Sequence, residues 1–336
     1  MADIKDWRSL SDTTPEWDAV LESMGGQAFD IGMFEDIQTL RGFISATKKN
    51  MTASHSPVPG VKEEKDHQVT MRDGGKITVR TYTPEKAAGP LYVMYHGGGF
   101  SIGGLENEEL LCRLLCGQLG FVAVNVDYRL APEHKFPTAH NDCWDATKWA
   151  AENASQLSAD PSKGFIIGGT SAGGNIAATI SHLARDEKFS PPLTGCHMMI
   201  PAICAVDALP EKYKKDQHSW EQNKNAAILS RKACDLFYDC YLPVADRGSE
   251  LFSPLLFKTG HACLPPSYFQ ICGQDPLRDE ALIYERLLRE DEGLKTKVDV
   301  YPGLPHGFWS VFPKIESSKR FVEESVKGVK WLLEQN

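Results

Sequence analysis

After Pro90 the chain settles into a rhythm that few folds can satisfy. Short apolar runs alternate with stretches that read as helices. "LYVMYH" (91–96) precedes "ENEELLCRLLCGQLG" (106–120), and "FVAVNVDY" (121–128) precedes "NDCWDATKWAAENA" (141–154). "GFIIGG" (164–169) leads into "IAATISHLA", and "CHMMIPAI" (196–203), "SYFQICG" (267–273) and "KVDVYPG" (297–303) complete the set. Apolar strands alternating with helices imply a mainly parallel sheet covered on both faces. Upstream, "QVTMR" (68–72) and "KITVRTYT" (76–83), joined through "DGG", read as a hairpin at an antiparallel edge. "HSPVPGVKEEKDH" (55–67), with its two prolines, reads as a loop. Eight strands are therefore predicted.

Two segments stand outside the rhythm. Residues 1 to about 50 look helical, with Trp17, Val20, Leu21 and Met24 at helix spacing. Residues 204–264 separate two strands and carry Tyr213, Trp220, Phe237, Tyr238 and Tyr241 among charges. An excursion of that length in an α/β sheet reads as a lid over the substrate side. The formal net charge of −9 and the absence of a Lys/Arg-rich run argue against nucleic acid or an anionic membrane as partner. No apolar stretch approaches a membrane span, and "MADIKDWRSLSD" lacks a signal core, so a cytoplasmic location is expected. Nine cysteines without a CxxC pair read as buried free thiols rather than as a metal site or disulfide framework. The sequence permits a homodimer.

The chemistry concentrates where the strands end. Gly169-Thr170-Ser171-Ala172-Gly173 fits G-x-S-x-G between an apolar run and a helix. A sharp strand-to-helix turn strains the serine backbone and lifts its Oγ clear of the sheet, and larger residues at the two glycine positions would collide. The same turn sets the N–H of Ala172 at a helix start, where it can donate to an oxyanion. A second glycine cluster, "HGGG" (His96 to Gly99), follows another apolar strand and lets backbone N–H groups approach a ligand. No G-K-[ST] follows it, which argues against a phosphate loop. A serine nucleophile needs a base and an acid to orient it. Asp275 in "ICGQDPLRDE" and His306 in "YPGLPHGF" lie just past successive strand ends, in the order Ser, Asp, His. Asp279, one helical turn after Asp275, is the rival acid and reads as a capping or pairing residue.

Together these pieces resemble the hormone-sensitive-lipase-like esterases of the α/β-hydrolase superfamily. The resemblance is carried by "HGGGFSIG", "VNVDYRLAPEHKFPTAHND", "GGTSAGGNIAA", "SPLL…LPPSYFQICGQDPLRDE" and "YPGLPHGF", over roughly residues 60 to 330. It implies one α/β-hydrolase domain over 1–336, an eight-stranded mostly parallel sheet with helices on both faces, and a helical cap built from 1–50 and 204–264. It implies Ser171, Asp275 and His306 as a triad. The oxyanion hole would comprise Gly98, Gly99 and Ala172, with Gly97 shaping the loop and His96 holding it. Asp127, Tyr128, Arg129 and Glu133 would belong to a structural network. Many relatives have Asp before the serine, where this chain has Thr170; the Thr form also occurs in the family. The implied activity is a serine carboxylesterase with no cofactor or metal, acting on a small or medium ester. The cysteine-rich, cap-divergent character also resembles fungal esterases of secondary metabolism. Acyl transfer, or a lyase or dehydratase reaction, is the alternative on the same scaffold. A catalytically inactive ligand-binding receptor is a weaker one, because that class has lost the histidine present here as His306.

Overall fold

The computed structural model describes residues 6–26, 28–50, 58–86 and 88–335. Eight strands form one sheet: β1 (Val61–Thr70), β2 (Lys76–Pro84), β3 (Leu91–Tyr95), β4 (Val122–Asp127), β5 (Phe165–Thr170), β6 (Gly195–Met199), β7 (Ser267–Gln274) and β8 (Thr296–Pro305). Their spatial order is β1-β2-β4-β3-β5-β6-β7-β8. β2 runs antiparallel to both β1 and β4, and all pairs from β4 to β8 are parallel. The helices are α1 (Pro15–Ser23), α2 (Ile37–Asn50), α3 (Glu109–Leu119), α4 (Thr138–Glu152), α5 (Ala172–Asp186), α6 (Glu211–Lys214), α7 (Ser219–Gln222), α8 (Arg231–Tyr241), α9 (Arg278–Arg286), α10 (Phe308–Val311) and α11 (Glu316–Leu333).

Alternation along the central strands explains the layers. In β3, Leu91, Val93 and Tyr95 enter one apolar core, and Tyr92 and Met94 enter the other. In β5, Phe165 and Ile167 face the first core and Ile166 the second. Successive side chains of a strand point to opposite faces, so a strand with helices on both sides must be apolar throughout. The α4, α5 and α9 side takes the first core, and the α3 and α11 side takes the second.

The expected loop over 55–67 is a strand from Val61 onward. Its stretch "VKEEKDH" is mostly exposed and pairs only with β2 at the sheet edge. An edge strand wet on both faces shows no apolar alternation, and charges there discourage pairing with another molecule.

The excursion lies between β6 and β7 and contributes α6, α7 and α8. It is laced to the amino-terminal segment by backbone. The Ile31 N–H donates to the Ile228 carbonyl at 3.0 Å, and the Ile228 N–H donates to the Phe29 carbonyl at 2.7 Å. The Ser230 N–H donates to the Asp30 carboxylate at 3.1 Å. Residues 7–23 also meet the excursion, where Ser11 Oγ donates to Asn223 Oδ1 at 2.9 Å, and turn toward the end of the chain, where Trp17 meets Phe312 edge-on. Among the described residues, no helix is long and apolar enough to cross a membrane.

Buried neutral histidines tie these layers together and give the fold an acid limit. His140 on α4 donates through Nε2 to Asn175 Oδ1 on α5 (2.8 Å) and accepts from Tyr241 Oη on α8 (3.0 Å). His197 on β6 lies between Tyr92 and Gln270, and His182 donates to the Ala178 carbonyl. Burial pushes all three below 6.5: His140 and His197 to about 4, His182 to about 3. The unfolded chain therefore takes up protons below pH 6.5 that the folded chain refuses, so their stability is lost as pH falls from 6.5 toward 4. Each contributes about 3 kcal/mol to that loss. Melting temperature should fall steeply between pH 6.5 and 4, and the His140→Gln variant should show a shallower fall. A melting temperature flat across that window would refute the account.

Candidate active site

Ser171 sits between β5 and α5 with φ 55° and ψ −112°. Its N–H donates to the Met199 carbonyl at 2.8 Å, which pins the turn to β6. The flanking glycines are required by contact. A Cβ on Gly169 would come within 2.3 Å of the Gly173 backbone, and one on Gly173 within 2.0 Å of the Tyr95 carbonyl. The conformation is held by the surrounding sheet and helix, which is how such strain persists.

His306 follows β8, and Asp275 follows β7. His306 Nε2 is 2.9 Å from Ser171 Oγ, and His306 Nδ1 is 2.6 Å from Asp275 Oδ2. The other carboxylate oxygen of Asp275 accepts the Leu277 N–H at 2.9 Å. Asp279 is committed elsewhere. Its carboxylate accepts from Arg278 Nε and from the N–H groups of His218 and Ser219, each at 2.7 Å.

The loop after β3 borders the same cavity. Gly98 (φ 126°) and Gly99 (φ 56°) adopt conformations that favour glycine. A Cβ at Gly99 would strike the Phe237 ring at 2.2 Å, and one at Gly98 would strike the Ile102 carbonyl at 2.1 Å. Among the described residues, no carbonyl accepts from the N–H groups of Gly98, Gly99 or Ala172, and all three residues line the cavity beside Ser171. Gly97 lines the cavity as well and packs against Thr170. His96 stacks on Tyr128 at 4.1 Å, and the Tyr128 hydroxyl donates to the His96 carbonyl at 2.8 Å. Arg129 pairs with Asp142 and Asp73, and Glu133 pairs with Arg41.

The cavity has a volume of about 170 Å³. Ile31, Ile200, Ile228, Phe237, Tyr238 and Trp309 supply its apolar wall. Helix spacing places Phe237 and Tyr241 on one face of α8, but only Phe237 reaches the cavity. Tyr241 is fully buried, stacked on Phe100 at 4.2 Å. Tyr238 lines the cavity instead.

Glu108 also borders the cavity, though no motif in the sequence marks it. Burial pushes its carboxyl up to about 7, opposed by hydrogen bonding from the Thr170 hydroxyl and the Gly97 N–H. Sited among the acidic residues of "ENEE" at the start of α3, it carries no pattern that separates it from a solvated helix turn.

A family profile described as alpha/beta hydrolase fold matches residues 92–310. The chain is 39% identical over 301 residues to an AB hydrolase superfamily protein of Schizosaccharomyces pombe, covering 89% of this chain and 88% of the relative. It is 36% identical over 324 residues to the versiconal hemiacetal acetate esterase of Dothistroma septosporum, covering 95% and 94%. Among solved structures, vibralactone cyclase superposes with a TM-score of 0.88 at 37% identity, covering 97% of this chain and 96% of that one.

Proposed function

The chain belongs to the alpha/beta hydrolase family and is a carboxylic ester hydrolase, and we propose that it cleaves small to medium esters through an acyl-enzyme on Ser171. The observation that carries this reading is the unbroken relay from Ser171 Oγ through His306 to Asp275, with contacts of 2.9 and 2.6 Å. Ser171 Oγ attacks the ester carbonyl while His306 Nε2 takes its proton. Asp275 accepts from Nδ1–H, which keeps Nε2 free to receive that proton. The tetrahedral oxyanion is met by the N–H groups of Gly98, Gly99 and Ala172, and each such donor is worth about 10²–10³ in turnover. The imidazolium protonates the departing alcohol. Water then repeats the attack with His306 as base, and the acid is released.

The substrate class follows from the wall of the cavity. At about 170 Å³, with Phe237 packed onto Gly99, it suits a short acyl chain. An acetate ester, of the kind for which the Dothistroma relative is named, is a natural size. The segments 1–50 and 204–264 act as the cap over this cavity, supported by the backbone lacing at Asp30–Ile31 and Ile228–Ser230. Residues 1–5 and 27 lie outside the described part of that cap. A cytoplasmic location fits the same reading.

Turnover of p-nitrophenyl esters from acetyl to palmitoyl tests the proposal. Acetyl to hexanoyl esters should exceed palmitoyl by about tenfold or more in kcat/KM, since each misplaced methylene is worth roughly 1–3 kcal/mol in a closed pocket. Phe237→Ala should relax that preference, and Tyr241→Phe should leave it unchanged. Equal kcat/KM on palmitate would place the acyl tail outside this cavity and sink the size argument. Incorporation of ¹⁸O from labelled water into the released acid separates hydrolysis from acyl transfer.

A further inference from the structure

The glycine loop does not hold its own shape. Gly98, Gly99 and Phe100 all have positive φ, and Phe100 (φ 60°) carries a side chain there. A non-glycine residue in that region is strained and persists only when its surroundings impose it. Within the loop, the N–H groups of Ser101 and Ile102 both donate to the Gly98 carbonyl, at 3.0 and 2.9 Å. The Ser101 carbonyl is left to be met from outside.

Arg41 meets it. This residue lies on α2, sixty positions away in sequence. Arg41 Nε donates to the Ser101 carbonyl at 2.9 Å, and Nη2 donates to the Ala131 carbonyl at 2.6 Å. The Ala131 N–H in turn donates to the Phe100 carbonyl at 2.9 Å. Nη1 lies 2.8 and 3.0 Å from the two Glu133 oxygens. One planar fork thus grips the glycine loop, the neighbouring 129–137 loop and a carboxylate at once, a geometry that suits guanidinium and not a point charge. The ion pair with Glu133 is partly exposed and so contributes little by itself. The two carbonyl contacts set the loop.

We propose that Arg41 is a positioning residue for ester hydrolysis: by fixing the Ser101 and Ala131 carbonyls it sets the Gly98 and Gly99 N–H groups against the oxyanion formed at Ser171. The inference rests on the oxyanion role given to that loop above. Preorganised donors lose their value quickly when displaced, and a misplacement of about 1 Å can cost about 10² in rate.

The test compares Arg41→Ala, Arg41→Lys and Glu133→Gln in the full chain. Readouts are kcat and KM on p-nitrophenyl acetate, inhibition by an aryl trifluoromethyl ketone, and melting temperature. The ketone forms an oxyanion adduct on the serine and so reports the hole directly. Arg41→Ala should lower kcat by about 10- to 100-fold with KM within about twofold. Its ketone affinity should weaken by the same factor as kcat. Arg41→Lys, able to reach some of the carbonyls, should recover part of the loss. Glu133→Gln, which keeps both carbonyl contacts, should stay within about threefold of the parent. If Arg41→Ala does not fold, a folded Arg41→Lys with reduced kcat and ketone affinity carries the test. Unchanged kcat in the folded Arg41 variants overturns the proposal, as does a loss confined to KM with ketone affinity intact. A Ser171→Ala variant that stays active overturns the esterase mechanism instead, so the two failures are distinguishable.

Discussion

Ser171→Ala should lower kcat on p-nitrophenyl acetate by about 10⁶-fold, the loss expected if Ser171 is the nucleophile of a serine hydrolase. The melting temperature should move little. Ser171 Oγ has His306 Nε2 as its partner, and the Ser171 N–H that pins the turn to the Met199 carbonyl is untouched by the change. Alanine at φ 55° bears the strain that serine bears already. Binding of a short ester should survive, because the cavity wall and the N–H groups of Gly98, Gly99 and Ala172 remain. A variant retaining even a hundredth of the parent kcat, with contamination excluded by fluorophosphonate labelling, would remove Ser171 from the role of nucleophile.

The central sheet was legible because β3 to β7 are buried on both faces and punctuated by turns, so they read directly as apolar runs, while β8, half-exposed at the far edge, was legible from the valines of "KVDVYPG". β1 did not, since Lys62, Glu63, Glu64 and Lys65 at the edge follow no core-facing alternation. Ser171, Asp275 and His306 were legible by their order and their places past strand ends, and the structure brings all three into contact. What sequence could not reveal are contacts between distant segments with no motif of their own. Arg41 on the Ser101 carbonyl, Glu108 beside Thr170, and the bridge from Asp30 to Ile228 all belong to that class. Backbone bridges leave no side-chain signature. Helix spacing puts Phe237 and Tyr241 on one face of α8, yet only one of them reaches the cavity, for a geometric reason. Both project from one face of α8, but the cavity ends at Phe237, and Tyr241 is taken up by Phe100 and His140.

The two acids near His306 separate most sharply under amide substitution. Asp275→Asn should reduce kcat by about 10⁴-fold at pH 7.5, through the imidazole tautomer and not through shape. The Leu277 N–H donates to one oxygen of the Asp275 side chain. In the asparagine variant that N–H retains the amide oxygen, which turns the NH₂ toward His306 Nδ1, 2.6 Å away in the parent. An NH₂ group can only donate, so Nδ1 must give up its proton and Nε2 must carry it. A protonated Nε2 cannot accept from Ser171, and the relay is blocked with its geometry intact. Asp279→Asn acts on a different link. Its carboxylate is fully buried, pairs with the equally buried Arg278, and caps the His218 and Ser219 N–H groups. Removing that charge strands the guanidinium and should cost about 3–5 kcal/mol of stability. The folded fraction should keep kcat within a few-fold of the parent. Urea midpoints and kcat/KM measured on both variants decide the matter: lost rate with retained stability for Asp279→Asn, beside an active Asp275→Asn, would transfer the orienting role from Asp275 to Asp279.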